Sequence, residues 1–257
     1  MKAYLTKNYA LNSTKKSEYL PDIHNEIYLR PKKIATSLGI ISLFLAFTSL
    51  GTNLVTSLTG HDYLHGLLPF FYVDHEKNVP TAYSVFLLLF ASVLLLIISI
   101  LKWKQSRSSA FYWIVLLSGF SFMSMDEAWG FHELIDQPGS FFDSSKFNGL
   151  LNFAWIIPFL FILPVLLIFF WKFLSGLPRK TRLYFLISAL IYLGGAIGFE
   201  SLGGYLVESI GRKNWWYYLT VTSEETFEMG GAILFIYALL NYMHFSYKKV
   251  SFLIPEK

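Results

Sequence analysis

The chain has 257 residues, of which 54% are hydrophobic, 19% aromatic and only 15% charged, with a formal net charge of +4. Mean hydropathy is +0.47 and the isoelectric point lies near 9.0. An average soluble domain carries roughly 25% charged residues, so this composition excludes a disordered chain, a coiled coil, a nucleic-acid-binding module and a water-soluble globule.

In chain order, the polar segment 1–33 holds no apolar core with a small-residue cleavage site, and so reads as a cytoplasmic tail rather than a signal peptide. A bilayer core of about 30 Å needs about 20 apolar residues in a helix. Six stretches meet that length: Ile34 to Leu58, Ala82 to Leu101, Ala110 to Ile135, Leu150 to Leu174, Leu183 to Ile210 and Trp216 to Phe245. Pro158 and Pro164 fall inside the fourth and are expected to kink it. The resulting expectation is an all-α bundle of six transmembrane helices over 34–245, with a second tail at 246–257.

Basic residues set the orientation. The two tails and the connections after the second and fourth spans take 17 of the 21 Lys and Arg; the opposite side receives only Lys77, Lys146, Arg212 and Lys213. By the positive-inside rule both termini are expected to be cytoplasmic, and an even number of spans agrees. Trp215, Trp216, Tyr217 and Tyr218 read as an interfacial aromatic belt at the outer entry of the last span. The first outer loop, His61 to Pro80, carries His61, His65 and His75, which read as wet surface histidines. The absence of cysteine removes disulfides, thiolate metal sites and a catalytic thiol.

The informative residues are acids inside spans. Asp126, Glu127, Glu133, Glu200, Glu224, Glu225 and Glu228 lie in apolar stretches, with Glu208 at the end of the fifth. A carboxylate at the bilayer centre costs on the order of 2.5–3.5 kcal/mol on insertion scales, so seven of them call for a common reason. By helical rise they fall in the outer half of three different helices, which points to one shared site. On a continuous third helix Asp126 and Glu133 share a face, with Glu127 and His132 on its two flanks. Glycines 194, 195, 198, 203 and 204 read as positions of close helix packing.

Carboxylates with one imidazole and no thiol suit a hard or borderline divalent metal, Fe, Mn or Zn, as in the di-metal sites of helix bundles. The expected ligands are Asp126, Glu127, His132, Glu133, Glu200, Glu225 and Glu228. The usual Glu-x-x-His spacing is absent; Glu225-x-x-Glu228 and Asp126-Glu127-x4-His132-Glu133 stand in its place.

Those motifs, with Gly198-Phe199-Glu200 and Glu224-Glu225-x2-Glu228-Met229, resemble a group of uncharacterised bacterial multi-pass membrane proteins. The resemblance implies that these acids belong together and an inner-membrane setting, and it brings no activity with it. Intramembrane prenyl-protein proteases require Arg where Met229 stands. Ceramidase-like zinc hydrolases need three His and an Asp at the membrane face, where only His132 lies in a span on the outer side. A haem protein needs facing axial His, whereas His132 and His244 lie at opposite ends. Three readings follow. The first is a metal-assisted hydrolase or oxidase acting on a lipid-soluble substrate among the membrane lipids. The second is a proton- or cation-coupled transporter using the same acids, with Ser118, Ser121 and Ser124 as a partial ladder. The third is a non-catalytic subunit with a structural cation.

Overall fold

The computed structural model describes residues 29–60, 67–74, 77–135 and 147–247. His61, His65, His75, Lys146 and most of both tails lie outside the described residues. The described chain is helical: α1 (Pro31–Thr59), α2 (Leu67–Phe71), α3 (Val79–Gln105), α4 (Arg107–Trp129), α5 (Ile156–Gly176), α6 (Arg179–Leu193), α7 (Glu200–Ile210) and α8 (Trp215–Ser246). Six helical stretches are long and apolar enough to cross a membrane: α1, α3, α4, α5, the run from Arg179 to Ile210, and α8.

Local sequence sets the boundaries. Pro31 opens α1 where a missing N–H is harmless. Asn78 caps α3 by accepting from the Thr81 N–H at 3.0 Å, and Asn214 caps α8 from Tyr217 at 2.9 Å. Ser106 alone joins α3 to α4, so the two form a tight antiparallel hairpin in which the Ser124 hydroxyl reaches the Val85 carbonyl at 3.2 Å. Pro158 sits in the first turn of α5, where it breaks no hydrogen bond, and only Pro164 lies in the helix interior.

Two spans depart from the sequence expectation. The third ends at Trp129 instead of running to Ile135, because Gly130 adopts φ 62° and its N–H returns to the Asp126 carbonyl. The fifth is not one regular helix: Gly194–Phe199 forms a π-helical turn between α6 and α7. Four of the six residues there are Gly or Ala, so little side-chain packing resists the wider turn.

α8 is the hub. It packs against α1, α3, α6, the π turn and α7. The main core lies towards the Ser246 end of α8, where Trp113 sits among Phe173, Phe185 and Tyr242 and Phe120 stacks on Phe235 at 4.4 Å. α5 is the exception. No helix runs closely alongside it, and it reaches α4 through side chains, as in the Tyr112–Phe173 stack at 5.3 Å.

Of the expected aromatic belt, Trp215 and Trp216 are exposed, but Tyr217 is only 2% exposed and belongs to the interior. Its hydroxyl donates to Asp74 at 3.0 Å, and Tyr72 donates to the other oxygen at 3.1 Å. Burial, with the Asp74 carboxylate beside it, keeps the Tyr72 phenol protonated far above its ordinary range.

Candidate functional site

The acids lie where α3 begins, α4 ends and α8 continues. At about 1.5 Å per residue, Glu127 stands ~30 Å from Arg107, Glu200 ~31 Å from Arg179 and Glu228 ~27 Å from Ser246. The three lie at one level, about a bilayer's hydrocarbon thickness from the basic end of the bundle. Past Arg107 in α4, past Arg182 in the fifth span and throughout α8 there is no Lys or Arg.

Close helix approach creates this level. A Cβ added to Gly195 would lie 2.7 Å from the Glu224 carbonyl oxygen and 2.8 Å from Glu228 Cγ. One added to Gly231 would lie 2.7 Å from the backbone nitrogen of Tyr192. Only glycine allows the π turn and the end of α6 to lie this close on α8. The contact sets Glu200 against Glu224, whose carboxyl groups are hydrogen-bonded to each other. Two carboxyl groups in such contact require a shared proton or a cation between them.

Glu225 and Glu228 lie within electrostatic range of Glu127 and Glu200, and Glu228 is also within range of His132. The Tyr192 hydroxyl donates to Glu228. Trp155, just ahead of α5, donates its indole N–H to Glu200 at 3.4 Å and lies beside the His132 ring, with centroids 5.2 Å apart.

The Asp126–His132 segment is arranged differently from the expected continuous helix. Because Gly130 turns the chain back, the Asp126 carboxylate accepts both the His132 backbone N–H at 2.9 Å and a contact from Nδ1 at 3.0 Å. Asp126 therefore closes a local turn. Glu133 follows on a short 3-10 turn, His132–Ile135, so the shared face with Asp126 does not exist; its side chain lies outside the described set. Glu208 accepts from the Gly149 N–H at 2.5 Å, away from the other acids.

The site thus gathers Glu127, Glu200, Glu224, Glu225 and Glu228, with His132 at its edge. Among the described residues no three His, Asp or Glu side chains converge as a metal ion would require. The expected Fe, Mn or Zn centre therefore finds no ligand set there. Sequence reasoning missed Tyr192, Trp155 and Asp74. Tyr192 carried a usable signal: it lies eight residues before Glu200, two turns along the same span, and next to a glycine run.

Two cavities adjoin the acids. One, of about 10 Å³, is bounded by Ser84, Glu127, Tyr192, Glu228 and Met229. The other, of about 280 Å³, is almost wholly apolar and lies between the detached α5 and the faces of α4, α6 and α8, among Met123, Leu163, Phe170, Phe235 and Tyr192. Tyr192 and Ala232 stand in the walls of both.

The proposed serine ladder is not open. Ser118 and Ser124 give their hydroxyls to the carbonyls of Ile114 and Val85. Below the acids the packed core is mainly hydrophobic, with Ser92, Ser99 and Ser188 buried within it.

A family model described as a domain of unknown function (DUF8692) matches residues 37–243, about four fifths of the chain. No curated protein and no solved structure matches.

Proposed function

The chain belongs to the DUF8692 family, and from that premise we propose that it is an integral membrane protein whose glutamate cluster exchanges protons with a lipid-soluble substrate. One observation carries this reading: Tyr192 borders both the apolar cavity and the acid-lined one, and its hydroxyl is bonded to Glu228. A hydrocarbon chain lodged among Met123, Leu163 and Phe235 would bring its polar end to Tyr192 and Glu228. Pockets for small ligands start near 300 Å³, so about 280 Å³ suits part of a single chain rather than a whole lipid.

In this reading Glu228 is the proton acceptor nearest the substrate, oriented by Tyr192, and the Glu200–Glu224 pair stores a proton. The distribution of Lys and Arg favours cytoplasmic termini and a site near the outer face of an inner membrane. A transporter using the same acids draws less support, because Ser118 and Ser124 of the serine ladder spend their hydroxyls on the Ile114 and Val85 carbonyls.

The test is photocrosslinking of the reconstituted full-length protein with a diazirine-bearing acyl or isoprenoid chain. Labelling is expected at Met123, Leu163 or Phe235, reduced at least several-fold by Ala189→Trp, which fills the cavity wall. Labelling confined to the outward residues of α5, such as Phe161 and Ile168, and unchanged by Ala189→Trp would refute the reading.

A further inference from the structure

The smaller cavity has features that the proton-exchange reading leaves unused. Glu127 of α4 and Glu228 of α8 reach it from different helices, and Ser84 of α3 completes the wall. The Ser84 residue is only 8% exposed and its hydroxyl has no hydrogen-bond partner. Leaving a buried hydroxyl orphaned is costly, so a guest that engages it is favoured. The volume of about 10 Å³ admits a single water-sized guest.

The donor atoms decide which guest fits. The oxygen donors are two glutamate carboxyl groups, a serine hydroxyl and the Tyr192 phenol, whose proton is already given to Glu228; the Met229 thioether in the same wall is taken up by the Ser42 hydroxyl at 3.5 Å. With no imidazole or thiol, the set disfavours Zn, Cu or Fe. Calcium takes six to eight oxygens, and magnesium keeps several waters of its own, for which the cavity has no room. A water would satisfy Ser84 but bring no charge to a cavity walled by two glutamates. A small monovalent cation both satisfies the hydroxyl and is attracted by the acidic wall.

We propose that Ser84, Glu127 and Glu228 form a binding site for one dehydrated monovalent cation of sodium size. The site ties α3, α4 and α8 together at the level where α3 begins and α4 ends. It goes beyond the proposed function, because occupancy by a cation requires no lipid substrate.

The experiment is thermal unfolding of the purified full-length protein in NaCl, KCl or choline chloride at equal ionic strength. The expected result is a saturable rise in midpoint with sodium, weaker or absent with potassium and choline. Ser84→Ala and Glu228→Gln are expected to raise the half-saturating sodium concentration at least tenfold. Sodium-23 NMR line broadening, lost in Ser84→Ala, gives a second readout independent of stability. A midpoint insensitive to cation identity, wild-type sodium affinity in Ser84→Ala, or stabilisation by divalent ions only would each overturn the proposal. Lipid crosslinking is measured separately, so either proposal can fail while the other stands.

Discussion

Replacing Gly195 with alanine tests whether helix contact assembles the acid site. The new methyl would meet the Glu224 carbonyl oxygen at 2.7 Å, Glu228 Cγ at 2.8 Å and the Glu228 nitrogen at 3.1 Å, where ordinary contact begins at 3.4 Å. The shortfall at the carbonyl is about 0.7 Å, and a helix backbone cannot rotate away as a side-chain end can. Overpacking of this kind costs about 1–3 kcal/mol. Retreat of α8 would also separate Glu224 from Glu200, removing a hydrogen bond worth about 0.5–1.5 kcal/mol. Alanine's gain over glycine in a helix, roughly 0.5–1 kcal/mol, offsets part of this. A net loss of about 2 kcal/mol is expected in equilibrium unfolding in mixed micelles. Gly198, in the same π turn, is the control. A methyl there would meet nothing within 4 Å, so Gly198→Ala should leave stability unchanged or raise it. If the two variants unfold alike, close approach at Gly195 does not hold the site together.

Other substitutions probe the remaining layers, each by the same unfolding assay unless stated. Gly231→Ala should be at least as harmful as Gly195→Ala, because every atom it meets is backbone or Cβ of Tyr192. Trp113→Ala should lose about 3–5 kcal/mol, since the ring is 1% exposed and packed by Phe173, Phe185 and Tyr242. Tyr217→Phe removes one of two phenols from Asp74 and should cost about 1.5–3 kcal/mol. In an absorbance titration, Tyr72 should contribute nothing near pH 10, where an exposed tyrosine ionises: its raised pKa favours the neutral phenol in the folded state. Wild type and Tyr72→Phe should therefore ionise the same number of phenols there.

The six spans were legible because length and apolarity decide them, and nearly every boundary fell within a few residues of its expected place. The miss at the third span has a local cause. Gly130 follows Trp129 inside an apolar run, and hydropathy does not separate a glycine inside a helix from one that ends it. That single φ of 62° turned an expected common face of Asp126 and Glu133 into a closed Asp126–His132 turn. The common level of Glu127, Glu200 and Glu228 was legible from depth alone, since helical rise converts residue counts into levels. Tyr192 was not, because an aromatic in an apolar span looks like packing until its hydroxyl is placed on Glu228. The expected metal ligands gained no support: among the described residues no group of three His, Asp or Glu could hold a metal ion, and residue type and depth do not encode that convergence.

The standing apart of α5 has an energetic consequence. With part of its inner face lining a cavity and Phe173 and Leu174 packed against the main core near its end, it contributes few of the close helix contacts that keep the other spans assembled. Its insertion rests on its own apolarity, and its docking is a shallow minimum beside the deep one that holds α1, α3, α6 and α8. Heating or detergent should release this helix first, as a separate step below the main transition, while the glutamates on α8 and the π turn stay together.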